Sequence, residues 1–277
     1  NTHPIYFKKN SFSKDLLIKT FIKKKINAIP ITDLQKKIID IVFFNNVIFE
    51  KKTKVRDKKK LDVPCVIMAG GRGTRLEPFT KILPKPLIPI NNKAIIEHII
   101  DGLKSSKINN IFMSINYKSL LIKSYFKELK LKSKISFVEE KEKRGTIGGI
   151  KTLEKRFKKP FFVTNCDILV KIDHSDLYDF HLKNDSDITI VASTKKFKIP
   201  YGVCKIDTKS GNLKNILEKP EFNYLVNTGL YILSPRVFKH IPKRKKFDMT
   251  DLINCVDKKK INVFPIHNND WVDVGQW

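Results

Sequence analysis

Residues 65–89 constrain this chain more than any other stretch. They run Cys65-Val66-Ile67-Met68-Ala69, then Gly70-Gly71-Arg72-Gly73-Thr74-Arg75-Leu76, and reach Pro84-Lys85-Pro86-Leu87 by way of Pro78 and Thr80. Five apolar or small residues leading into a glycine cluster predict a buried strand that ends in a tight loop. Three glycines within four positions let the backbone bend sharply and approach a ligand closely. Bare amides in such a loop cradle phosphate oxygens, and Arg72, Arg75 and Lys85 add positive charge in the same segment. The prolines at 78, 84, 86 and 89 stiffen the return path and stop a long helix from starting.

Two common phosphate loops are excluded. A dinucleotide fingerprint needs a third glycine where Leu76 stands, and a Walker A loop needs Lys-Ser/Thr where Gly73 is followed by Thr74-Arg75. The full string G-G-x-G-T-R-L-x-P-x-T, followed by P-K-P, instead resembles the signature of the sugar-nucleotidyltransferase family, and the resemblance extends over roughly 64–277. That family joins a sugar 1-phosphate to a nucleoside triphosphate and releases pyrophosphate. The resemblance implies that Ala69, Gly70, Gly71, Gly73 and Thr74 line the nucleotide. It also implies that Lys85 meets the α-phosphate and that Arg75 holds the β- and γ-phosphates. Lys85 is expected to be exposed in a cleft.

Later motifs occur in the family's order. Asp167 closes Phe162-Val163-Thr164-Asn165-Cys166-Asp167 and resembles the first metal aspartate. Asp273, in Trp271-Val272-Asp273-Val274-Gly275, resembles the second. Together they imply one Mg²⁺, which takes one or two carboxylates and keeps its other positions for water and phosphate. Gly145-Thr146 with Gly148 resembles the G-T-x-G loop beside the base, and Glu140 just before it is a candidate base contact. Tyr201-Gly202-Val203, Glu218-Lys219-Pro220 and Asn227-Thr228-Gly229 resemble the sugar side. There Glu218 would bind sugar hydroxyls, Lys219 the sugar phosphate, and Tyr201, Gly202, Asn227 and Thr228 would line the pocket. His98, His174 and His181 show no ligand-like grouping.

Strands alternate with helices from residue 65 to residue 164: helices over Lys93–Ser105, Ser119–Leu129 and Gly148–Phe157, strands over Ile111–Ile115, Ile135–Val138 and Phe161–Thr164. This predicts an α/β fold with a Rossmann-like, mostly parallel sheet flanked by helices, and the family resemblance implies the nucleotide-diphospho-sugar transferase type. Ligands then sit beyond the carboxyl ends of the strands, where the glycine loop and Asp167 fall. From Asp187 onward short strands follow one another, with Ser210-Gly211-Asn212 as a hairpin turn. The first 52 residues read as a separate small α+β module: a helix over Ser13–Lys25, a strand in Ile26–Ile31, a turn, and a strand over Ile38–Phe44. With its I-N-A-I-P-I-T-D string it resembles a cystathionine-β-synthase (CBS) regulatory domain, which implies an adenine nucleotide effector. An inert docking role is the alternative. Residues 53–63 are a charged linker, and 64–277 the nucleotidyltransferase domain.

The formal charge of +27, from 55 Lys and Arg against 28 Asp and Glu, favours anionic partners. The lysines are diffuse and lack interleaved aromatics, so nucleic acid is not expected as a partner. No apolar run approaches a membrane span, which excludes membrane insertion as an expectation. Four cysteines with no C-x-x-C pattern fit reduced thiols in a cytoplasmic protein. The sequence starts at Asn1 without Met and stops at Trp277, so trimming at both ends is expected. The expected function is transfer of a nucleoside monophosphate to a sugar 1-phosphate in bacterial surface or flagellar glycan synthesis. GTP and an amino-sugar or heptose 1-phosphate are the favoured pair, and self-association into a homo-oligomer is allowed for. The competing reading is a non-catalytic scaffold of the same fold. Retention of Arg75, Lys85, Asp167, Lys219 and Asp273 together argues against it.

Overall fold

The computed structural model of the chain describes residues 5–9, 11–24, 26, 28–43, 61–129, 134–140, 145–243 and 245–275. In chain order its elements are β1 (Phe7–Lys8), α1 (Lys14–Lys24), β2 (Ala28–Thr32), β3 (Ile38–Phe43), β4 (Pro64–Met68), α2 (Phe79–Ile82), β5 (Pro89–Ile90), β6 (Lys93–Ala94), α3 (Ile95–Ser105), β7 (Asn110–Ile115), α4 (Ser119–Glu128) and β8 (Lys134–Glu139). There follow β9 (Phe161–Asn165), β10 (Ile168–Val170), α5 (His174–Lys183), β11 (Ile188–Lys198), β12 (Val203–Ile206), β13 (Leu213–Leu217), β14 (Glu221–Leu233), α6 (Met249–Cys255), β15 (Ile261–Ile266) and β16 (Trp271–Asp273). The chain divides into two compact units, Asn1–Arg56 with Lys196–Asn223, and Asp57–Lys195 with Tyr224–Trp277.

In the larger unit a seven-stranded sheet has the order β15-β11-β14-β9-β4-β7-β8. The β4–β7, β4–β9, β7–β8 and β11–β15 pairs are parallel, while β14 runs antiparallel to β9. Parallel strands covered on both faces must be apolar throughout, and Cys65, Val66 and Ile67 of β4 are fully buried. Ile95, Ile96, Ile99, Ile100 and Leu103 of α3 recur at helical spacing and are all buried. On one face Val66, Phe112, Val163, Phe157, Phe161 and Phe238 pack into a single cluster.

The expected alternation of strands and helices is therefore present, with instructive differences. The helix expected from Lys93 begins at Ile95, because Lys93–Ala94 pair with Pro89–Ile90 across Asn91-Asn92. Both asparagines adopt positive φ (45° and 66°), which their short amide side chains tolerate. The helix expected over Gly148–Phe157 is a 3₁₀ segment ending at Leu153. Its entry is tied down elsewhere: the amides of Ile147 and Gly148 both donate to Phe247 O, at 3.1 and 3.2 Å.

The smaller unit contains the expected helix–strand–turn–strand run as α1, β2 and β3. In its sheet β1 is parallel to β2 and β2 antiparallel to β3. Leu17 and Phe21 of α1 pack on Ile29 of β2. Residues 196–223, read from sequence as part of the 64–277 domain, group with this unit. There β12 and β13 form the hairpin around Gly211, and Ile199 N donates to Pro220 O at 3.1 Å. The linker expected over 53–63 lies, up to residue 60, outside the described residues.

Candidate active site

The site forms at the carboxyl ends of β4, β7, β8 and β9. Ala69 N donates to Ser114 O (2.8 Å), so the chain leaves β4 still hydrogen-bonded to β7. Gly70 then runs close beside Asn116, where a Cβ would stand 3.4 Å from that residue's own Cβ. Gly73 turns the loop at φ 68°, and a side chain there would meet Thr80 at 2.9 Å and Lys85 at 3.0 Å. The Thr80 hydroxyl donates to Gly73 O (3.0 Å). The threonine that closes the long glycine string thus clamps the loop down over Lys85. Gly71, Arg72, Thr74 and Arg75 are left exposed.

Lys85 opens a short 3₁₀ turn between Pro84 and Pro86. It is buried, at 8% exposure, not open to solvent in a cleft as expected from sequence. The reason is Asp167, itself 5% exposed, whose Oδ2 pairs with the Lys85 ammonium. Leaving water costs a lysine several kcal/mol, and the carboxylate that meets it there offsets that cost. The Arg75 guanidinium stands 3.7 Å from the same oxygen, with its side chain mostly exposed.

Asp167 and Asp273 are brought together by one short strand pair. β10 and β16 run antiparallel with Ile168 opposite Asp273, and Val274 N donates to Asp167 O (2.9 Å). Asp273 Oδ1 accepts from Gly275 N at 2.9 Å. Asp167 Oδ2, Asp273 Oδ1 and Lys85 Nζ all lie within 3.1 Å of the point where a Cβ on Gly275 would stand. Among the described residues no group of three or more His, Cys, Asp and Glu gathers as for an all-protein metal cage. Two carboxylates around a cradle that a Cβ would fill are a donor set that fits Mg²⁺, which takes its other ligands from water and phosphate. Cys166, next to Asp167, is no nucleophile: burial, with Asp167 adding to it, pushes its thiol up to about 12.

Of the residues expected beside the base, Glu140 accepts through its carboxylate from the Ser114 hydroxyl. Asn116 Nδ2 donates to Glu140 O at 2.6 Å. Gly149 makes room for this carboxylate, since a Cβ there would stand 2.0 Å from Glu140 Oε1. Gly145 and Thr146 are engaged with the start of α6. Thr146 N donates to Asp248 Oδ1 (2.8 Å), and the Thr146 hydroxyl accepts from Met249 N (2.9 Å). Gly145, at φ 80°, passes so close to Phe247 that a side chain would stand 2.5 Å from its carbonyl oxygen.

Of the residues expected to meet the sugar, Thr228 of the larger unit is buried and its hydroxyl donates to Val191 O (2.8 Å). Asn227 Nδ2 donates to the Tyr231 hydroxyl (2.7 Å), and Asn227 Oδ1 accepts from Gly229 N (3.0 Å). Tyr201, Gly202, Glu218 and Lys219 belong to the smaller unit. There the two motifs face each other, with Gly202 beside Glu218 Oε2 and Val203 opposite Leu217. Lys219 is exposed and held at φ 43°. Sequence reasoning missed Gly275, Asn116 and Asp248. Gly275 closes the W-V-D-V-G string, which was its only local signal, whereas Asn116 and Asp248 carry none. The histidines serve the fold: His98 Nε2 meets Ile90 O, His174 Nδ1 meets Ser106 Oγ, and His181 Nδ1 meets Thr189 Oγ1.

Comparison with known proteins fits this geometry. The mannose-1-phosphate guanyltransferase of Pichia angusta is 36% identical over 222 residues, covering 76% of this chain and 60% of that protein. The enzyme of the same name from Saccharomyces cerevisiae is also 36% identical, over 76% of this chain and 61% of its own length. The chain thus spans about 60% of the length of the curated relatives it matches. Among solved structures, HddC from Yersinia pseudotuberculosis has a TM-score of 0.61 at 28% identity, covering 77% of this chain and 94% of that one. The same protein complexed with GMP-PN matches with a TM-score of 0.60. Residues 65–277 match the nucleotidyl transferase family, and the chain belongs to it.

Proposed function

We propose that the chain transfers GMP from GTP to a sugar 1-phosphate, giving a GDP-sugar and pyrophosphate. The observation that carries this is the convergence of Lys85, Asp167 and Asp273 on one point beneath the glycine loop. An oxygen of the sugar phosphate attacks the α-phosphorus, a new P–O bond forms, and the bond to the bridging oxygen of the β-phosphate breaks. No protein nucleophile is needed, so the work is positioning and charge neutralisation. The Lys85 ammonium neutralises charge at the α-phosphate. Arg75, exposed on the loop, holds the departing β- and γ-phosphates. Backbone amides from Gly70 to Thr74 orient the triphosphate. Asp167 and Asp273 would hold Mg²⁺, which supplies Lewis-acid neutralisation of the phosphate oxygens when bound.

GTP is favoured because Glu140, at the carboxyl end of the sheet, offers carboxylate oxygens to the N–H donors on a guanine edge. The names of the relatives support the same base. They also make mannose 1-phosphate the first sugar to test, ahead of the amino-sugar and heptose 1-phosphates expected from sequence. Lys219 and Glu218 are proposed to take the sugar phosphate and hydroxyls. An adenine nucleotide effector at the N-terminal unit, a cytoplasmic setting in bacterial glycan synthesis and assembly with a second copy belong to the same proposal. Among the described residues no helix is long and apolar enough to cross a membrane.

The test is a panel. Purified chain is incubated with and without Mg²⁺, with each of five NTPs and with mannose, amino-sugar and heptose 1-phosphates, and pyrophosphate release is read. Release that needs GTP, Mg²⁺ and a sugar phosphate together is expected. Absence of release from every pair, or equal release without sugar phosphate, overturns the reading.

A further inference from the structure

Glycines in the larger unit answer two different needs. Gly73, Gly145 and Gly229 have φ of 68°, 80° and 88°, a region that side-chain-bearing residues rarely adopt. Gly275 is not among the positive-φ glycines, so its backbone is one that alanine also adopts. What forbids a side chain there is space. A Cβ would stand 2.5 Å from Asp167 Oδ2, 3.0 Å from Asp273 Oδ1 and 3.1 Å from Lys85 Nζ.

These atoms have little freedom to retreat. Asp167 and Lys85 are buried and paired with each other. The Asp273 carboxylate accepts from the Gly275 amide itself. We infer that Gly275 is a positioning residue: its missing side chain is the space in which the two carboxylates and the lysine converge, and its N–H aims Asp273 into that space. A methyl group at this point drives Asp167 Oδ2 outward and widens the gap between the carboxylates. It removes no charge and no hydrogen-bonding group. The loss is one of geometry, and small displacements of charged groups in a preorganised site are costly to turnover.

The kinetic part of this inference rests on the nucleotidyl-transfer reading, and the folding part does not. In Gly275→Ala, kcat for pyrophosphate release is expected to fall by on the order of 100-fold, the scale of one lost preorganised contact. GTP affinity by calorimetry, without Mg²⁺ or sugar phosphate, is expected to stay within about threefold, since the glycine-loop and base contacts are untouched and Lys85 keeps its charge. Independently, urea unfolding is measured for Gly275→Ala, Asp167→Ala and the double variant. Gly275→Ala is expected to lower the midpoint in the native background and to do so far less when Asp167 is alanine, because the nearest clashing oxygen is then gone. Equal lowering in both backgrounds overturns the inference, as does near-native kcat in Gly275→Ala. If Gly275→Ala does not fold alone, a double variant as stable as Asp167→Ala supports the inference, and one less stable than Asp167→Ala by as much as the single change costs overturns it. If the native chain releases no pyrophosphate, the functional reading fails while the unfolding cycle still decides the role of Gly275.

Discussion

Lys85 and Asp167 are a buried pair, and burial changes what a substitution there does. Removing the ammonium leaves a carboxylate at 5% exposure without its nearest cation, and Arg75 at 3.7 Å compensates only in part. Lys85→Met is therefore expected to abolish measurable pyrophosphate release and also to cost about 3–5 kcal/mol of stability, the scale of a buried ion pair that loses one partner. Adding Asp167→Asn should restore much of that stability but none of the turnover. Urea midpoints and a pyrophosphate assay on both variants check this. Midpoints that do not move with Lys85→Met would show that the pair contributes nothing to folding. That Lys85 is important was legible from P-K-P. That it is buried was not, because its partner lies 82 residues away.

Two elements carry predictions of their own. On α5, His181 is buried against Thr189 of β11. Its pKa is pushed down to about 4, first by burial and then by Arg236, with Asp187 and Asp185 partly offsetting this. The ordinary value is about 6.5, so the unfolded chain takes up the proton first as pH falls. Stability is fully present above about pH 6.5 and is lost as pH falls toward about 4. Between pH 7 and pH 5 the loss is expected to be about 2 kcal/mol. His181→Gln should flatten the dependence, as read by urea midpoints at the two pH values. At the start of α6, Thr146 accepts from Met249 N (2.9 Å). Thr146→Val should cost about 1 kcal/mol, the scale of a lost helix cap, while Thr146→Ser should not. If Thr146 acts through this cap, the KM for GTP changes by less than about threefold in either variant. A larger rise in KM would place its side chain on the nucleotide, beyond the backbone contact that the sequence motif implied.

At the scale of the whole molecule, the grouping of Lys196–Asn223 with Asn1–Arg56 alters what a truncation does. Removing residues 1–52 should leave a soluble chain that binds GTP, since the parallel strands β4, β7, β8 and β9 and the glycine loop belong to the larger unit. It also deprives the hairpin bearing Tyr201, Glu218 and Lys219 of the rest of its unit. The KM for sugar 1-phosphate is then expected to rise about tenfold or more while GTP affinity is held. Calorimetry and initial rates on the truncated chain check both halves, and an unchanged sugar-phosphate KM would show that the hairpin needs nothing from residues 1–52. By itself, the sequence determined what depends on neighbours along the chain. β4 and its loop followed from an apolar run meeting three glycines, α3 from isoleucines at helical spacing, and the β12–β13 hairpin from Ser210-Gly211-Asn212. Each is a short-range consequence of backbone sterics and of burying one face. The tertiary structure alone decided what depends on strand register. It set Ile168 opposite Asp273, which brings two aspartates from distant segments to one point. It put Asp248 on an amide 102 residues away, and it made Gly275 the place where no side chain fits. Periodicity carries no information about which strand lies next to which. That is settled by packing the whole sheet, and the site is a by-product of that packing.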